Sequence, residues 1–299
     1  MPLTHLYFVT SAFLLGLGAV LSKLLLSVDV DGDTSPNPLQ VLTFQLLGGI
    51  GFLLSVRIVS GWRLEPLMLL QRPALAGAIL GVGSVGTILA IALISASEAA
   101  LVFATQPLIV LGLAWILLRE RIGAPATALC CAAVCGVLLT VIGGGPISSD
   151  GRAVGFVFAV LSNSCAALYT VWMRDMTARQ DVLTALIVVQ GVSCLIASAV
   201  WATAWQIGHV RLVSGGTFFV LLSLGSGALY YGAAYFLYVL GLKTTEASVA
   251  GIYLTLVPIF TIALARVFLS ETLTALQWVG ASVVICAVGA IFLLYRRAD

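Results

Sequence analysis

Residues 95–122 read SASEAALVFATQPLIVLGLAWILLRERI, and residues 244–273 read TTEASVAGIYLTLVPIFTIALARVFLSETL. Both carry the same parts in the same order. A hydroxyl residue precedes a glutamate, Glu98 or Glu246. Small and apolar residues follow, then a proline in mid-run, Pro107 or Pro258, and a closing glutamate, Glu120 or Glu271. Proline within a helix removes a backbone bond and bends the rod. One capped, kinked apolar helix has therefore been written twice.

The rest of the chain is of the same kind. Of 299 residues, 61% are hydrophobic and 9% are charged, against about 25% charged in a soluble domain. That much apolar surface needs lipid around it, and only helices satisfy their own backbone groups there. At about 20 residues per crossing, the apolar runs give ten helices, near 5–27, 39–60, 73–94, 98–118, 124–143, 153–173, 182–205, 215–242, 246–269 and 274–295. The first run is read as a transmembrane helix and not a cleaved leader, since no basic leader or small-residue cleavage site accompanies it. Pro38, Pro73 and Pro125 stand near helix starts, where a missing N–H costs nothing.

Charge gives the orientation. With the N-terminus inside, ten Lys and Arg residues fall on the inner side, among them Arg57, Arg119, Arg174 and Arg296, against Lys23, Arg152, Arg211 and Arg266 outside. This is a positive-inside bias that places both termini in the cytoplasm. A net charge of +2 without a basic patch points to no nucleic-acid partner. The partners are the lipid bilayer and a small-molecule substrate.

The two halves can be aligned. Phe8 to Phe156, Gly77 to Gly225 and Glu98 to Glu246 are each 148 apart; Pro107 to Pro258 and Glu120 to Glu271 are each 151 apart. The step of three is close to one helical turn, so the ninth helix gains about a turn at its start. Five spans per half is an odd number, so the second half inserts upside down. The fold class is an all-α membrane protein of ten transmembrane helices in two five-helix inverted-topology repeats, residues 1–146 and 147–299, the plan of many secondary transporters.

The run from Ala99 through Pro107 to LLRERI, its echo through Pro258 to FLSETL, and FVFAVLSNSCAALYTVWMR from Phe156 together resemble the repeat units of an EamA domain. Two such halves are similar to the ten-helix drug/metabolite transporter superfamily. The resemblance covers nearly the whole chain. It implies a central cavity lined from both halves, with helices five and ten toward one edge. Members of that superfamily export amino acids and other metabolites, or carry nucleotide sugars and sugar phosphates.

Other chemistries find little support. There is no G-x-x-x-x-G-K-[ST] loop and no H-E-x-x-H, and His5 and His209 are the only histidines, both near span ends. An enzyme is not expected, nor any cofactor. The loop DVDGDTSPN places Gly32 fourth and Gln40 twelfth from Asp29, which fails the calcium-loop pattern. The six cysteines lie in apolar runs with no C-x-x-C spacing, and no metal is expected.

Polar residues at membrane depth are the candidate site, because they are costly there unless they face a bundle interior or a wet cavity. Gln45, Ser84, Gln106 and Asn163 qualify, as does Gln190. Tyr231, Tyr235 and Tyr238 recur at i, i+4, i+7, and Tyr253 lies at comparable depth. The substrate-binding set is Gln45, Ser84, Gln106, Asn163, Tyr231, Tyr235 and Tyr253, with Pro107 and Pro258 as gating kinks. The competing reading of each is helix-to-helix packing. Two readings also stand for Glu98 and Glu246, as helix caps or as residues at the mouths of a pathway. The spans carry almost no Lys or Arg at mid-depth, which favours neutral or zwitterionic solutes such as amino acids over phosphate esters. The leading function is a secondary transporter working by alternating access in the inner (plasma) membrane. The alternative is a channel, a structural scaffold, or a carrier of other metabolites or drugs.

Overall fold

The computed structural model describes residues 2–27, 36–61, 71–106, 108–109, 113, 124–143, 151–177, 181–207, 216–244, 253–254 and 256–296. All regular structure among these residues is helical. In chain order the helices are α1 Pro2–Ser27, α2 Pro38–Ser60, α3 Gln71–Leu93, α4 Ala96–Phe103, α5 Ala124–Gly143, α6 Arg152–Thr177 and α7 Val182–Gln206. Next comes α8, which starts as Gly216–Gly227, passes through a π-helical stretch Ala228–Ala234 and resumes as Tyr235–Thr244. Then follow α9 Leu256–Phe268 and α10 Ala275–Arg296. Six of them, α1, α2, α3, α6, α7 and α8, are long and apolar enough to cross a bilayer, and shorter apolar helices lie within α5, α9 and α10.

Local chemistry sets the helix ends. Asn37 caps α2 by accepting the Leu39 N–H through its side chain, with Pro38 next in the first turn, and Gly61 closes the helix in the left-handed region at φ 66°. Asp181 caps α7 by accepting from Thr184 N at 2.9 Å. Ser97, the hydroxyl residue directly before Glu98, is not the cap of α4. The cap of α4 is Ser95, and Glu98 is its reciprocal partner in a capping box.

The two halves interlock. Helix α3 packs on α6 and α7 of the second half, and α8 packs on α1 and α2 of the first. Helices α5 and α10 pack on each other, Gly136 facing Gly280 so closely that a Cβ on either would collide with the other's carbonyl. A similar approach joins α2 to α8, where a Cβ on Gly227 would overlap the Gln45 carbonyl oxygen outright. Apolar side chains such as Leu161, Leu195, Phe218 and Leu221 point outward, as a multi-pass protein in lipid requires.

Candidate functional site

Helix α4 breaks early, and the break builds the site. Pro107 has no N–H to offer the Phe103 carbonyl four residues back, and α4 ends at Phe103. Pro107 itself lies outside the described residues. At the break the Val102 carbonyl accepts from Thr105 N at 3.0 Å and from Thr105 Oγ1 at 2.7 Å. It also accepts from Asn163 Nδ2 of α6 at 2.9 Å, and Asn163 Nδ2 reaches Thr105 Oγ1 at 3.1 Å. Asn163 is fully buried, and its Oδ1 has no partner among the described residues.

Beside this break is a small cavity of about 100 Å³, partly open to its surroundings. Its walls come from both halves: Leu15 and Ala19 of α1, Thr87 of α3, Ala99 and Phe103 of α4, Gln106, Ser162 and Asn163, Tyr230 and Tyr235 of α8, and Pro258 and Thr261 of α9. None of its described lining residues is Lys, Arg, Asp or Glu. The π-helical stretch carries Tyr230 and Tyr231, and its wider turn packs Tyr230, Tyr231 and Tyr235 into one cluster. Such stretches recur at functional sites.

Beyond Ala96 of the cavity wall lies a cluster of charges. Glu98 is 5% exposed. Its Oε2 accepts the Ser95 N–H at 3.1 Å, and its Oε1 accepts from Arg152 at 2.5 Å and from Gln277 Nε2 at 3.0 Å. Gln277 belongs to a second capping box, exchanging hydrogen bonds with Thr274 at the start of α10. Glu271 reaches over α4 and accepts from Ala96 N, Ser97 N and Ser97 Oγ at 3.0, 3.1 and 2.7 Å. It is aimed there by a turn in which Leu269 and Glu271 both donate N–H to the Ala265 carbonyl, with Ser270 left-handed at φ 55°. Lys23 donates to the Ile91 and Ile94 carbonyls at 2.7 and 2.8 Å, a cation at the negative end of α3, and it is attracted to Glu271 and Glu98. Two cations and two anions thus tie α1, α3, α4, α6 and the turn between α9 and α10 together.

Rings cluster at the other end of α1, around His5. His5 hydrogen-bonds the Tyr253 hydroxyl, Phe8 stacks on Tyr253 at 5.1 Å between centroids, and Tyr238 meets Phe8 edge-on at 6.0 Å. Gly241 leaves the room that the Phe8 ring fills.

The profile of the EamA-like transporter family matches residues 2–142 and again residues 153–294. The chain belongs to the EamA-like transporter family. A solved structure described only as "Crystal structure of protein" is 21% identical, with a TM-score of 0.61, and the match covers 97% of this chain and 99% of that one. It shows a shared fold. No curated protein matches.

In this EamA-like transporter, Gln106, Asn163, Tyr235 and Pro258 line the cavity. Gln106 donates to Thr170 Oγ1 at 3.1 Å. The other expected residues lie around it. Gln45 is buried between helices, its Nε2 donating to Ser22 Oγ at 2.9 Å and Ser226 Oγ at 3.1 Å. Ser84 is buried against the Tyr231 hydroxyl, and Tyr231 stacks on Tyr235 from behind the wall. Tyr253 belongs to the aromatic cluster. Gln190 donates to the Tyr231 carbonyl at 2.9 Å. Glu120, Glu246 and His209 lie outside the described residues. Sequence reasoning did not single out Thr87, Ser162, Tyr230 or Thr261 at the wall, or Lys23, Arg152 and Gln277 at the charged cluster. Only the T-x-x-Q pattern of residues 274–277 carried a readable signal.

Proposed function

We propose that the protein is a secondary transporter of small neutral or zwitterionic organic solutes, with amino acids favoured, working by alternating access around this cavity. The observation that carries the reading is the cavity itself. It is walled by both EamA repeats, polar at a few points, and free of ionised groups along its described lining. A phosphate ester wants charge-assisted donors, and this wall offers none. Gln106, Asn163 and Tyr235 are proposed as contacts to the solute. Gln45, Ser84, Tyr231 and Tyr253 are proposed to hold the wall and the aromatic cluster in shape. Ten spans in two inverted repeats, 1–146 and 147–299, with both termini cytoplasmic in the inner membrane, complete the reading. The Glu98 end then faces outward and the His5 end inward.

Reconstituted protein is expected to give saturable amino-acid flux in liposomes, reduced by Gln106→Leu while the protein stays folded in the membrane. Transport of a sugar phosphate or nucleotide sugar with no amino acid carried would overturn the proposal.

A further inference from the structure

Following each hydrogen on the cavity wall gives a more specific answer about the solute. Asn163 Nδ2 is directed at the Val102 carbonyl and at Thr105 Oγ1. That carbonyl also fixes which way the amide faces, since the flipped amide would set oxygen against oxygen. The Thr261 hydroxyl donates to the Val257 carbonyl at 2.8 Å. The hydroxyls of Thr87 and Ser162 have the Gly83 carbonyl at 3.1 and 2.8 Å, and each other at 2.5 Å, to receive their hydrogens. Gln106 Nε2 has donated one of its two hydrogens to Thr170. Most of these hydrogens go to the protein, Gln106 keeping one on Nε2, and the lone pairs remain. Asn163 Oδ1, fully buried and unpartnered among the described residues, is the clearest of these. A buried acceptor left without a donor is costly, and a native fold keeps one where something else supplies the hydrogen.

We propose that the cavity recognises its solute through an amine, held as an ammonium or N–H donor by Asn163 Oδ1, on an apolar or aromatic body, and that a carboxylate on the solute is dispensable. This rests on reading the cavity as the transport site. An ammonium has three hydrogens to give and nothing to accept, which suits a wall of acceptors. The rings of Phe103, Tyr230 and Tyr235 line the same space, and the faces of such rings attract cations. A carboxylate has only lone pairs to present. Gln106 Nε2 keeps one hydrogen for it, and the hydroxyls of Tyr230 and Tyr235 are the other donors it would depend on.

The test is direct binding of three matched probes to the purified full chain in nanodiscs, by thermal shift and tryptophan fluorescence. Phenethylamine and phenylalanine are expected to bind comparably, and 3-phenylpropanoate at least ten-fold more weakly. Asn163→Leu is expected to weaken phenethylamine by ten-fold or more, and Asn163→Asp, whose protonated form donates to the Val102 carbonyl and keeps an acceptor on its other oxygen, to retain it. Equal or tighter binding of the acid, or no binding of the amine to the unmutated protein, would overturn the proposal, whether or not either variant folds. The two readings separate cleanly. Saturable flux of some solute without amine binding removes this inference and leaves the transporter. Amine binding without flux of any solute does the reverse.

Discussion

Glu98 has more than one donor on its carboxylate, and one of them carries a charge. Changing Glu98 to Gln takes from Arg152, whose side chain is 16% exposed, the carboxylate that it meets at 2.5 Å. Removing one partner of a buried pair typically costs about 3–5 kcal/mol. The remaining exposure of Arg152, and its position 5.6 Å over the Phe156 ring, favour the lower end. A lowered unfolding midpoint in detergent is expected for Glu98→Gln, with Glu98→Gln/Arg152→Gln recovering part of the loss in a double-mutant cycle. Strict additivity would show that the pair is not coupled. Part of this was legible in the sequence: S-x-x-E at residues 95–98 announces a capping box. The rest was not, because Arg152 is 54 residues further along and only the folded bundle brings it to Glu98. Asn163 is a similar case. Its depth in an apolar run marked it as unusual, but which of its two polar ends is free depends on a helix break in α4 that no residue of α6 encodes.

At the scale of the element, the edges of most helices follow from the apolar runs and their proline, asparagine and aspartate punctuation. Helix α8 is the exception. The i, i+4, i+7 spacing of Tyr231, Tyr235 and Tyr238 assumes 3.6 residues per turn, and Ala228–Ala234 does not keep that turn. Tyr231 accordingly lies behind the wall while Tyr230, outside the stripe, lines it. Deleting Ala228 should let the segment relax to an ordinary helix; the lost residue and the tighter turn nearly cancel, so the flanking halves stay close to their present relation while Tyr230 and Tyr231 are re-aimed between them. Loss of transport with normal membrane insertion is the expected outcome. Unchanged transport would mean that the wide turn is not what aims these rings. Pro258 belongs to this scale as well, being buried at the wall at the third position of α9. Pro258→Ala is expected to lower maximal flux more than it raises the half-saturation concentration, as a bend used in opening requires. Equal changes in both would assign the proline a static role.

At the scale of the molecule, the repeat was readable from residue types at offsets of 148 and 151, because a membrane fold built twice must repeat its costly residues. How the halves interlock was not, since it rests on glycine contacts between distant helices. The described cavity wall has no group that gains or loses a proton near neutral pH, and this bears on the driving force. We expect facilitated movement down the solute's own gradient. With solute equal on both sides of a proteoliposome, an imposed pH or sodium gradient should cause no accumulation. Steady accumulation abolished by Glu98→Gln would show that the buried acid carries a coupled proton.

The two clusters differ in chemistry, and that has a consequence for who controls the carrier. Opening the Glu98 end exposes two cations and two anions, which dissolved ions stabilise by screening. Opening the His5 end exposes rings, whose association salt does not weaken in this way. Salt raised on the Glu98 side alone, balanced by sucrose on the other, should speed exchange; salt on the His5 side alone should not. The final distribution of solute should be the same in both cases, because a passive carrier lowers a barrier equally in both directions. An equal response from the two sides would show that neither cluster sets the rate. On the expected result the protein is a valve whose speed is adjusted from one compartment, while the destination of its cargo is adjusted from neither.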